Sequence, residues 1–187
     1  MNTLRNIGAA ATVLACLFSA GPSRAAETAG YLLAAGGSSH QNNDCSGLSS
    51  CDNTGNAFKV VGGYRFGNGL AMEAVSYDFG KATARLQGLT LQVKAKAVGI
   101  GAAVYAELAP NWVATVRLGI ASVKMKANAN NGFSASEDST NAYAGLAIAY
   151  HFTPAVSAEL GFDSTKGKLL GETGNISAVT VGVGVKF

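Results

Sequence analysis

Few residues in this 187-residue chain could do chemistry: 13% are charged and only two are histidine. An ordinary soluble domain carries about 25% charged residues. Eight ionisable side chains stand singly inside apolar segments: Lys59, Arg65, Glu73, Glu107, Arg117, His151, Glu159 and Lys186. A charge held away from water must be paired, because an isolated one is very costly there. Glu73, Arg117 and Glu159 lie at similar distances from neighbouring turn signals, so Arg117 is expected to bridge the two glutamates. Lys59, Arg65 and Glu107 are expected in the same polar interior. The chemistry implied is structural ion pairing, with a gate or proton path as the alternative use.

The other candidates are thinner. His40 stands beside Ser38, Ser39 and Asp44, yet no Ser–His spacing matches an enzyme motif, so a solvated loop histidine is expected. Gly99-x-Gly101 and Gly182-x-Gly184 lack the third glycine and the following helix of a nucleotide loop. Cys45 and Cys51 share one polar stretch, without the second pair that a metal site would need. In an oxidising compartment they would form a disulfide that staples a small loop. No catalytic residue, metal ligand or cofactor is expected. A net charge of +3, with no basic run, argues against a nucleic-acid partner.

The elements that position these residues follow from hydrophobic patterning. Residues 1–25 read as a cleaved export signal: Arg5, then an apolar stretch from Ile7 to Ala20, then Gly21-Pro22 and Ser23-Arg24-Ala25. Cleavage is expected between Ala25 and Ala26, and a lipid-modified Cys16 is the alternative. Residues 26–187 then form one domain. No later apolar run is long enough for a transmembrane helix. Period-two alternation recurs instead, in eight segments near 28–37, 56–66, 70–80, 91–108, 112–124, 140–152, 155–163 and 176–187. Gly67-Asn68-Gly69, Ala109-Pro110-Asn111 and Thr153-Pro154 make short turns between them. Residues 38–55, 81–90, 125–139 and 164–175 are polar and read as longer loops. One face of each segment is large and apolar, and the other is mostly Gly, Ala, Ser and Thr. Small residues suit the tight interior of an eight-stranded barrel. A soluble sandwich would show a charged outer face instead. The fold class is therefore all-β, an antiparallel up-and-down transmembrane barrel. Tyr64, Phe66, Trp112, Tyr150, Phe152 and Phe187 all lie near the short-turn end, as an interfacial aromatic belt would. Glu73 shares the parity of Val75, Tyr77 and Phe79. If those three face lipid, a bulge near Ala74–Ser76 is needed to return Glu73 to the inside.

Three segments carry a family resemblance: Gly69 to Ala74 with Tyr77-Asp78-Phe79-Gly80, the run Ala149 to Phe162, and residues 181–187. Together they resemble the OmpA-like, opacity-protein family of eight-stranded outer-membrane barrels, without a periplasmic domain. The resemblance implies a Gram-negative outer membrane. It also implies that Val181, Val183, Val185 and Phe187 form the signal read by the barrel-assembly machinery. Some small barrels modify lipid A with a His/Ser set at the outer rim, but His151 lies at the other end. A non-enzymatic, monomeric surface protein displaying four loops is the expectation, its lumen plugged by polar residues. An adhesin that binds host surface molecules and a narrow porin-like channel are the alternatives. Besides membrane lipid, lipopolysaccharide is an expected partner, meeting Lys94 and Lys96 through its phosphates.

Overall fold

The computed structural model describes residues 29–41, 50–86 and 89–187, with side chains omitted at 50–52, 84–86 and 89. The strands are β1 (Ala29–Gln41), β2 (Ser50–Asp52), β3 (Thr54–Arg65), β4 (Leu70–Leu86), β5 (Leu89–Ala109), β6 (Trp112–Ala129), β7 (Ser134–His151), β8 (Val156–Leu169) and β9 (Glu172–Lys186). Stub β2 continues the line of β3 past Asn53 and pairs with β4. The result is an eight-stranded barrel, antiparallel throughout. Each strand pairs with its chain neighbour, and β1 closes the ring against β9.

The molecule is apolar on the outside. Val98, Ile100, Leu118, Ile120, Leu146 and Val181 are each more than half exposed. Lys59, Arg117 and Glu73, at alternating inward positions, are buried. A contiguous apolar surface of this kind requires a nonaqueous partner, and closure leaves no strand edge for lipid to meet. Near the chain ends, Trp112 packs edge-on to Tyr150 at 5.1 Å, Tyr150 to Phe152 at 5.2 Å, and Tyr64 to Phe66 at 5.4 Å.

Two expectations are corrected. Three of the four polar stretches are not loops. Residues 81–86, 125–129, 134–139 and 164–169 continue the strands, leaving tight ends such as 130–133 and Leu170–Gly171. Polar side chains there had suggested loops, but a strand above a lipid band can be polar on both faces. β5 has 21 residues and β6 and β7 have 18, about twice the 9–11 that a tilted strand needs to cross a bilayer. The bulge also moves. β4 keeps its register from Leu70 to Asp78 and shifts between Asp78 and Lys81, where Gly80 adopts a φ of 71°. Val75, Tyr77 and Phe79 therefore face inward with Glu73, and Met72, Ala74 and Ser76 face out. The lumen rewards this choice: Tyr77 and Phe79 stack at 5.3 Å inside it.

Candidate functional site

Two layers of buried side chains lie across the lumen. The first is ionic. Arg117 of β6 meets two glutamates, one through a bifurcated Nε–H and one through a two-donor fork. Its Nε donates to both carboxylate oxygens of Glu73 at 3.1 Å. Its Nη1 and Nη2 donate to the two oxygens of Glu159 at 2.9 Å each. Bidentate pairing of this kind is the strongest form a side-chain ion pair takes. Lys59 of β3 donates to Asp163 of β8 at 2.8 Å and lies 3.6 Å from Glu159. Three carboxylates thus face two cations. Tyrosine hydroxyls meet the surplus: Tyr31 and Tyr105 donate to Glu73, and Tyr77 donates to Asp163 at 3.0 Å. None of the five charged groups is more than 7% exposed.

Towards the hairpin end opposite the termini, the second layer is apolar. Phe79, Val123, Met125 and Ile176 are buried there. Towards the termini lies a small cavity of about 40 Å³, lined by Tyr31, Arg65, Tyr105, His151 and Lys186 among others. Arg65 sits above the Tyr105 ring, 3.7 Å from its centre, a cation–π contact.

Glycine makes room for the ionic layer. A Cβ on Gly63 would collide with the Tyr31 ring, and one on Gly161 would stand 3.0 Å from the Lys59 ammonium. Gly63→Ala is therefore expected to destabilise the barrel by about 1–3 kcal/mol, as overpacking does. A lowered urea midpoint for the protein refolded in lipid vesicles would show it; an unchanged midpoint would mean that Tyr31 can yield.

A family model for the outer membrane protein β-barrel domain matches residues 10–187. The chain belongs to that family. This bears out the resemblance drawn from the three segments, and it locates the protein in the outer membrane. No curated protein matches by sequence. Among solved structures, neisserial surface protein A is similar at a TM-score of 0.63 and 14% identity, over 86% of this chain and 99% of that one. Ail, the attachment invasion locus protein of Yersinia pestis, solved with the heparin analogue sucrose octasulfate, gives 0.59 at 16% identity, over 86% and 99%. The outer membrane protein OprG of Pseudomonas aeruginosa gives 0.57 at 14%, over 88% and 99%. At these identities the likeness is one of fold.

Within this outer-membrane barrel, Glu73, Arg117, Glu159 and Lys59 lie together in the ionic layer. Arg65 lies apart, at the cavity on the termini side. Glu107 keeps the inward parity of Ala103 and Tyr105, opposite Val113, but stands exposed at the mouth, just before the register shift into the Ala109–Trp112 turn. His151 is half-buried at the same end, and His40 is exposed on the outer face of β1. Asp163 and the four tyrosines were not assigned to the site from sequence. Asp163 has the parity of Glu159 on β8, which is the signal that could have found it. Cys45, Cys16 and the Ala25–Ala26 junction lie outside the described residues, and so does the proposed disulfide. Of Cys51 only the backbone is described, paired with Ala84.

Proposed function

We propose that this barrel is a non-conducting, non-enzymatic surface protein that spans the outer membrane as a monomer. Its termini lie on the periplasmic side and its hairpin ends point outward, the usual arrangement for such barrels. The observation that supports this reading is the pair of buried side-chain layers across the lumen. An ion would have to part the ion pairs of Arg117 and then cross a plug of Phe79, Val123, Met125 and Ile176. In planar bilayers the purified protein is expected to give no steady conductance. Large, steady single-channel currents would overturn the reading and favour the porin-like alternative. The assembly machinery enters as a partner through the closing register of Val181, Val183, Val185 and Phe187, whose side chains all point outward.

Attachment is the second reading, and the long strands favour it. They raise a polar crown well past the apolar band, with Asn131, Ser134, Asp138 and Lys168 exposed on it. The similar Ail is named for attachment and invasion, and its structure holds a heparin analogue. Loss of host-cell or matrix binding on shortening the β6–β7 and β8–β9 ends, with the barrel still assembled, would support this reading.

A further inference from the structure

We propose that the outer face of β4, β5 and β6 is a docking site for a phosphorylated glycolipid of the outer leaflet, lipopolysaccharide held through its lipid A phosphates. The inference rests on the outer-membrane reading and on the hairpin ends pointing outward. Two rows of side chains carry it. In one, Lys96 and Lys124 are direct cross-strand neighbours, flanked by Asp78 and Asp138. In the next row outward, Lys81, Lys94 and Lys126 stand opposite one another on three successive strands. Like charges directly opposite in a sheet are destabilising.

The two aspartates offset only part of this. Asp78 lies 3.0 Å from Lys96 and 3.7 Å from Lys94, and Asp138 lies 3.3 Å from Lys124. Among the described residues neither Lys81 nor Lys126 makes an ion pair. The face therefore keeps a surplus of three positive charges at the edge of the apolar band. The opposite face has no facing lysine rows: beyond its apolar band β8 carries Lys166 and Lys168 on one strand, with Lys168 3.2 Å from Glu137, and β9 and β1 present Ser177, Asn175, Ser38 and His40. An anion with several oxygens could sit between facing lysines and form charge-assisted hydrogen bonds with both.

The surface below the lysines adds the second half of the ligand. On the same strands Ala74 and Ala102 are small, and Met72, Ile100 and Ile120 rise around them, leaving a shallow apolar groove. Lysine rows separated from an apolar groove by the single row Ser76–Val98–Ser122 match a lipid whose phosphates lie at the head-group level and whose acyl chains run down the barrel wall. A soluble sulfated sugar would engage the lysines and leave the groove bare. A lipid with a single phosphate would leave most of the lysines facing one another.

The test uses the full-length mature barrel in lipid nanodiscs with lipopolysaccharide, with dephosphorylated lipopolysaccharide, or with phosphatidylglycerol alone. The readout is the thermal unfolding midpoint, and protease protection scores membrane insertion separately. Lipopolysaccharide is expected to raise the midpoint of the parent and of a Lys166→Gln control on β8. The rise is expected to vanish in Lys94→Gln/Lys126→Gln, whose midpoint without lipopolysaccharide stays level or increases. Ala102→Phe, which fills the groove, is expected to reduce the rise. An equal rise with dephosphorylated lipid or with phosphatidylglycerol would overturn the proposal, as would an undiminished rise in the double lysine variant. Failure of the parent to become protease-protected would instead count against the outer-membrane reading itself.

Discussion

An Arg117→Met barrel is expected to be about 3–5 kcal/mol less stable than the parent, the cost of leaving a buried charge without its partner. Glu73 and Glu159 are both held by that one guanidinium, through four contacts of 2.9–3.1 Å. Without it, two buried carboxylates lose their shared cation. The triple variant Glu73→Gln/Arg117→Met/Glu159→Gln removes the whole triad and is expected to recover most of the loss, because apolar or neutral replacements of an entire buried pair are often near neutral. Lys59 keeps Asp163 in that background. Urea titrations in vesicles, followed by tryptophan fluorescence from Trp112, would measure both differences. A single variant as stable as the parent would mean that water or a rearranged lysine compensates the glutamates.

The second large effect concerns the outer face. Ile100→Arg is expected to cost about 2–4 kcal/mol in a bilayer, and Ser122→Arg about 0–1, because the penalty for an arginine on the lipid face falls from midplane to interface. Ile100 is 64% exposed on the apolar surface. Ser122 pairs with Val98, one outward row closer to Lys96 and Lys124. The same titration measures the pair, and repeating it in detergent should shrink the difference. Equal costs in vesicles would mean that the apolar band has been drawn at the wrong height.

The sequence made the barrel legible because an inside-out protein writes its pattern openly. On β9, Val179, Val181, Val183 and Val185 alternate with small residues, and nothing but a lipid-facing strand explains that run. The ionic triad was legible for a related reason: with so few charges, Glu73, Arg117 and Glu159 had to meet. The height of the strands was not legible. Above the lipid both faces of a strand may be wet, so the period-two signal fades where residues 125–129 and 134–139 continue β6 and β7. The facing of Tyr77 and Phe79 was hidden as well. Aromatic side chains fit either lipid or a lumen, and the residues that do face out on β4, Ala74 and Ser76, are barely apolar. The packing of the plug decides the matter, through contacts between strands far apart in the chain.

The ionic layer also constrains how the molecule is made. The hairpin of β3 and β4 carries Lys59 and Glu73, that of β5 and β6 carries Arg117, and that of β7 and β8 carries Glu159 and Asp163. Every ion pair in the layer joins one hairpin to another, so no hairpin pairs its own charges. A hairpin entering the hydrocarbon alone would bring in bare charge at a cost of several kcal/mol. Stepwise threading, one hairpin after another, is thus disfavoured at each stage. The charges become tolerable only when all the strands enclose them together. Entry into the membrane and closure of the ring are then one concerted event, and the route to the membrane is limited by the same residues that pair inside the finished barrel.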